Sequence, residues 1–168
     1  MTEPSMMERF AESGFEPVEV DGELVHAMYT TPVAVGDVVR VTWESARSPR
    51  VQGLSLRLGI PGRTGRESEG GLLRADGVQA PTIVLWMDSA PPAVEAECVE
   101  LKQGALLRVS NRWRHRDGRE DEWLNNYGIR IEPLGDRSVR LHCSDGYGDT
   151  PTIDDLRVRI DALDGRAT

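Results

Sequence analysis

Ala105–Glu132 reads A-L-L-R-V-S-N-R-W-R-H-R-D-G-R-E-D-E-W-L-N-N-Y-G-I-R-I-E, and its alternation decides the fold class. Side chains two positions apart share one face of a strand. Leu107, Val109, Asn111 and Trp113 fall on one face of a first strand, and Trp123, Asn125, Tyr127, Ile129 and Ile131 on one face of a second. The pattern predicts a long hairpin turning at Asp117-Gly118, with Trp113 opposite Trp123, Asn111 opposite Asn125 and Val109 opposite Tyr127. The outer face would set Arg114 against Glu122, Arg116 against Glu120 and His115 against Asp121. Opposite charges paired across strands contribute ~0.2–1 kcal/mol each. A two-residue turn would slip the register and bring Arg112 opposite Trp123. The expected connection therefore has three or five residues and contains Gly118.

The inner face of this hairpin is also the first candidate site. Asn111 and Asn125 fall there among Trp113, Trp123 and Tyr127. A buried amide without partners costs ~1–3 kcal/mol. Either the two amides satisfy each other and nearby backbone, or they form a polar patch in an apolar pocket, a composition that ligand sites share. These five residues are the candidate ligand-binding set.

Outward from the hairpin the chain is β throughout, apart from its start. Ser5-Met6-Met7-Glu8 reads as a capping box opening a short helix within residues 1–14. Asp21-Gly22 divides two short strands. Leu54, Leu56 and Leu58 alternate with Ser55 and Arg57, and Val94, Ala96 and Cys98 alternate with Glu95 and Glu97. Val99 and Leu101 continue on the other parity, which predicts a bulge near Val99. Thr82–Met87 is apolar on both faces and reads as a central strand. Val139, Leu141 and Cys143 make another strand, and Leu156, Val158 and Ile160 the last. Pro61–Gly71 has no strand pattern and is expected to be a mobile loop; its glycines lack phosphate-loop spacing. Alternation implies antiparallel strands with one solvated face each. The expected fold is all-β: one domain spanning 1–168, an antiparallel β-sandwich of jelly-roll type with one short N-terminal helix. A closed β-barrel is the alternative.

The length of 168 residues suits one domain with a full core. The formal net charge of −8 argues against a nucleic-acid partner, which needs a basic face. Lys102 is the only lysine among 20 basic residues, a usage typical of GC-rich bacterial genomes. No stretch approaches the ~18 apolar residues of a membrane span. The N-terminus has no basic region followed by an apolar run, so no signal peptide is expected. Cytoplasmic residence is expected, with Cys98 and Cys143 as free buried thiols.

A second constellation lies in Ser144–Ile160, S-D-G-Y-G-D-T-P-T-I-D-D-L-R-V-R-I. Asp145, Asp149, Asp154 and Asp155 crowd a glycine-containing loop that feeds a strand. Calcium takes six to eight oxygen ligands on such flexible turns. This segment resembles the acidic loop and final strand of calcium-binding β-sandwich modules in bacterial surface proteins, through Ile153-Asp154-Asp155-Leu156 and the upstream Asp145 and Asp149. The resemblance implies a calcium site on these four aspartates. The residues alone suit aspartates capping turns. No other cofactor is expected.

Catalytic motifs are missing from the sequence. His26, His115 and His142 lack metal spacing, there is no G-x-S-x-G, and both cysteines fall mid-strand without a setting that lowers a thiol pKa. Three function classes remain: a non-catalytic β-sandwich module binding a small molecule, sugar or protein partner; a small β-barrel enzyme of cyclase, isomerase or hydrolase type; and an acidic inhibitor or immunity-type protein. Neither nucleic acid nor membrane is expected as partner, and the oligomeric state is open.

Overall fold

A computed structural model describes residues 3–148 and 151–165 of the chain. After helix α1 (Met6–Glu12), the strands are β1 (Val18–Val20), β2 (Glu23–Val25), β3 (Tyr29–Thr31), β4 (Val38–Ala46), β5 (Val51–Gly59), β6 (Gly71–Ala75) and β7 (Val78–Ala80). They continue with β8 (Thr82–Trp86), β9 (Ala93–Leu101), β10 (Leu106–Arg114), β11 (Glu120–Asp121), β12 (Asn126–Gly135), β13 (Ser138–Gly146) and β14 (Leu156–Leu163). One sheet runs β11-β10-β5-β8, with β3 sharing the β11 edge of β10, and the other runs β12-β13-β14-β4-β9-β6-β7. The two pack as an antiparallel β-sandwich and do not close into a barrel, so the barrel alternative falls. A small third sheet joins β1 to β2.

The alternating residues line the space between the sheets. Leu54, Leu56 and Leu58 of β5 are fully buried, as are Val39 and Val41 of β4, Leu141 and Cys143 of β13, and Val158 of β14. Each such side chain contributes ~1.5–3 kcal/mol of burial. Cys98 and Cys143 are free and buried. Leu72 pairs with Glu100 and Leu73 with Cys98, which leaves Val99 as the extra residue of a bulge, where the parity change put it. Asp21 and Gly22 both take positive φ, 51° and 83°, and form the tight β1–β2 turn. The Ser5 hydroxyl accepts from the Glu8 amide at the start of α1. Thr82–Met87, expected as a central strand, instead supplies an edge: β8 pairs only with β5.

The central hairpin is shorter than the sequence pattern suggests. Trp113 pairs with Asp121 and Arg114 with Glu120. The His115 amide donates to the Arg119 carbonyl, so the connection has three residues and contains Gly118, at φ 91°. Pairing then stops. Trp123 and Asn125 adopt left-handed φ of 57° and 53°, and the chain crosses to the other sheet, where β12 pairs with β13. Trp113 therefore does not face Trp123, and Asn111 does not face Asn125. The full length of β10 lies against β5 instead. The physical cause is the Trp123–Asn125 loop: an Asn tolerates left-handed backbone, and two such residues redirect a strand.

The segment 61–71 carries a 3-10 turn at Gly65–Ser68. Its far end is anchored, since Gly70 donates to Leu58 and Ile60 donates to Ser68 through the backbone. A second core closes one end of the sandwich: Met6 and Phe10 of α1 pack with Val25, Ala27, Trp113 and Tyr127. Phe10 and Tyr127 meet at a ring separation of 5.1 Å.

This placement predicts different costs for adjacent residues of β10. Trp113→Ala should lower unfolding free energy in urea by ~3–5 kcal/mol. Arg114→Ala, which loses an exposed contact to Asp88, should cost under about 1 kcal/mol. Comparable losses would mean that the two faces of β10 are exchanged.

Candidate functional site

The inter-sheet space changes character toward the end capped by α1. The inward row of β13 runs Val139, Leu141, Cys143 and then Asp145, and that of β5 begins with Gln52. Asp145 is fully buried. An isolated buried carboxylate is very costly, so it must be paired and hydrogen-bonded. Arg50 donates to it through Nε at 2.8 Å and Nη2 at 3.0 Å, a two-pronged pair. Gln52 Nε2 donates at 3.2 Å and the Ser48 hydroxyl also donates to it. Burial opposes its ionisation, but Arg50 and Ser48 hold its pKa below the ordinary aspartate value.

Asp155 backs this group. Its carboxylate accepts from the Asp145 amide at 3.0 Å. Burial, with the adjacent Asp145 charge, pushes its pKa up to about 6. Asp154 turns the other way, to the outer face of the seven-stranded sheet. There its Oδ1 meets His142 Nδ1 at 2.8 Å, and Glu132 Oε1 meets the other ring nitrogen at 2.9 Å. Arg157 adds a second contact to Asp154. Asp149 lies outside the described residues. The acidic constellation is thus divided: Asp145 and Asp155 converge inside, and Asp154 leaves them. Among the described residues no three His, Cys, Asp or Glu side chains are grouped to hold a metal ion.

The tryptophan–asparagine set is divided as well. Asn111, Trp113 and Tyr127 are packed solid. Asn111 donates to the Ser144 carbonyl at 2.8 Å, while its carbonyl oxygen and the Trp113 indole nitrogen have no partner. Burial pushes the Tyr127 phenol up to about 12. Trp123 and Asn125 sit on the exposed crossing loop.

That loop meets a different cluster. The Leu124 carbonyl accepts from the Tyr127 amide at 3.1 Å, and the Asn125 carbonyl from Met7 at 2.8 Å. A Cβ on Gly146 would lie 2.4 Å from the Leu124 oxygen, so only glycine lets the two loops touch. Tyr147 follows, its ring stacked under the Arg50 guanidinium at 3.6 Å. Its hydroxyl lies 3.1 Å from His115 Nε2 and 3.3 Å from Nδ1. His115 Nε2 in turn meets Asp121 Oδ2 at 2.6 Å, with Arg119 against both. The chain Asp155–Asp145–Arg50–Tyr147–His115–Asp121 is one connected network at this end. The sequence pattern sets His115 directly opposite Asp121, but Asp121 registers with Trp113 and His115 reaches it diagonally, through the side chain. Ser48, Arg50 and Tyr147 were not legible in the sequence: about a hundred residues separate Arg50 from Asp145, and no local pattern marks that contact.

Beside this network, Met7, Trp123, Leu124 and Tyr147 are each more than a third exposed. A separate cleft of about 570 Å³ follows the free edges of β7 and β8 and is lined largely by Val78, Ile83, Leu85, Ala93 and Val94. No helix among the described residues is long and apolar enough to cross a membrane. Comparison with protein families, curated proteins and solved structures finds nothing that matches this chain.

The carboxyl pair predicts a pH dependence. With a folded pKa above the unfolded one, Asp155 keeps a proton between about pH 4 and pH 6 that the unfolded chain has released. Its contribution to stability therefore falls as pH rises through that window. Asp155→Asn retains an acceptor for the Asp145 amide and donates to the Asp145 carboxylate without ionising. It should stabilise the fold at pH 7 by about 1–3 kcal/mol and flatten the dependence from pH 4 to 6. Thermal melts across this range measure it; a variant less stable than wild type at pH 7 would refute it.

Proposed function

We propose that this chain is a non-catalytic β-sandwich binding module for a protein partner, and that it binds through the end carrying the crossing loop and the Ser144–Gly148 turn. The observation that carries this reading is the gathering of Met7, Trp123, Leu124 and Tyr147, all exposed, on backbone that is tied down. Scattered exposed apolar residues are ordinary, whereas a contiguous group marks an interaction surface. Trp, Tyr, Met and Arg are the side chains enriched in interface centres. The exposed charges Arg116, Asp117, Arg119 and Glu120 follow His115, whose ring meets Tyr147, on the same hairpin.

The ionisable groups at this end favour binding over catalysis. His115 lies between Asp121 and Tyr147, and Arg50 is committed to Asp145. A general base must reach a proton on its substrate, and these groups reach each other. The network instead holds Tyr147 in one orientation, and a rigid anchor loses little entropy on binding. The net charge of −8 favours a basic partner through long-range steering and disfavours nucleic acid. The free thiols of Cys98 and Cys143 fit a cytoplasmic setting.

The test compares wild type with Trp123→Ala/Tyr147→Ala, both shown by circular dichroism to be folded. A partner bound by wild type should lose about 2 kcal/mol or more of affinity for the double variant, while Val35→Ala, on a distant exposed site, should bind normally. Equal binding by all three chains overturns the reading. So does a sugar or small metabolite that binds wild type and the double variant alike.

A further inference from the structure

The outer face of the five-stranded sheet holds an arrangement that the recognition end does not explain. One row crosses four strands in register: Thr30 of β3, Arg108 of β10, Arg57 of β5 and Thr82 of β8. The two arginines are directly opposite each other, and like charges so placed repel. The other arginines of this sheet are compensated: Arg112 by Glu120 and Glu122, Arg114 by Asp88. Arg57 and Arg108 form no ion pair with any described residue. Arg57 donates to the Ser68 hydroxyl, and Arg108 Nε contacts the Met28 sulfur at 3.2 Å. Two guanidiniums carry roughly ten N–H donors, so most of theirs are uncommitted.

The two side chains also converge. Arg108 Nη1 and Arg57 Nε stand 3.4 and 3.7 Å from the point that a Cβ on Gly59 would occupy. The floor beside them is Gly59, Ser55 and Ser110, all buried, and the ends of the row are the exposed hydroxyls of Thr30 and Thr82. Both arginines are half-buried, in a setting of reduced dielectric where charge interactions strengthen. Burial lowers the Arg108 pKa from its ordinary value, and Arg57 pushes it the same way.

We propose that Arg57 and Arg108 form a binding site for an oxyanion, the carboxylate or phosphate group of a small molecule, with Thr30 and Thr82 as flanking hydrogen-bond donors. Guanidinium forks match the oxygen spacing of both groups. Six residues along β10 separate Arg108 from Arg114, roughly 20 Å, so this site is distinct from the proposed recognition end and stands or falls without it.

The experiment follows thermal melting and calorimetric titration of the full chain with inorganic phosphate and, separately, with succinate, at ionic strength held constant with sodium chloride. Wild type should show a saturable rise in Tm with at least one anion beyond the chloride control. A rise with phosphate only identifies a phosphate site, and a rise with succinate only a carboxylate site. Arg57→Gln and Arg108→Gln should each weaken binding by roughly tenfold or more, the loss of one charge-assisted hydrogen bond. Gly59→Leu, which keeps both charges but fills the space between them, should weaken it similarly. If neither anion exceeds the chloride control, or if the double Arg→Gln variant responds as wild type does, the proposal fails.

Discussion

Asp145 stands on the seven-stranded sheet with no surface exposed to water, and the groups that neutralise it come from the β4–β5 turn and the five-stranded sheet. That one contact sets the end of the sandwich. The carboxylate cannot be left alone in the interior, since removing one partner of such a pair typically costs 3–5 kcal/mol. Ser48, Arg50 and Gln52 must therefore stay within reach of it. Their position fixes where β4 turns into β5 and how far apart the two sheets lie at this end. Replacing the whole group by apolar residues could be as stable. A paired charge does something an aliphatic cluster does not: it admits one register, because a shift of β5 along β10 would leave the carboxylate without its fork.

The exposed features follow from this buried one. Arg50, held by Asp145, presents its flat face to Tyr147. Tyr147 presents its hydroxyl to His115, and His115 is held by Asp121 across the short hairpin. Gly146 lets the crossing loop lie directly on this turn, and Asn126 ties both to α1 by accepting from the Met6 amide. Loops with few buried apolar contacts are normally the mobile parts of a fold. Here they are braced by a network whose root is buried, which would hold the exposed Trp, Tyr, Leu and Met side chains in place for the proposed partner.

Much of the architecture could be read from the chain because it depends on neighbours in sequence. The inward rows of β5, β13 and β14, the Val99 bulge, the Asp21-Gly22 turn and the Ser5 cap are all written within a few residues. The long hairpin could not be read correctly, because alternation continues through Trp123 and Asn125 even though the strand does not. Period two reports a face, not a partner. Val109 and Tyr127 are both inward, as their parity requires, yet they belong to different sheets. Thr82–Trp86 misleads for a related reason: an edge strand beside an apolar cleft is as hydrophobic on two faces as a central one. Of the network at the recognition end, the sequence pattern brought His115 and Asp121 near each other but two positions out of register. The aspartates of Ser144–Ile160 are adjacent in sequence but divided by the sheet, which sends Asp145 inward and Asp154 outward.

The arginines carry the same lesson into the question of function. Most of them in this acidic chain meet a carboxylate, so a charge pattern that looks basic on one strand is neutral in space. Arg57 and Arg108 break the rule where breaking it is least favourable, side by side in the middle of a sheet. Their aliphatic stems do cover Gly59 and the small residues of the floor. Glutamine or methionine would supply such a stem without repulsion, and both leave the strand pattern unchanged. Folding therefore accounts for the length of these side chains and not for their charge. A cost that the fold does not require, placed beside free donors and two exposed hydroxyls, is better explained by an anion that arrives from outside the chain.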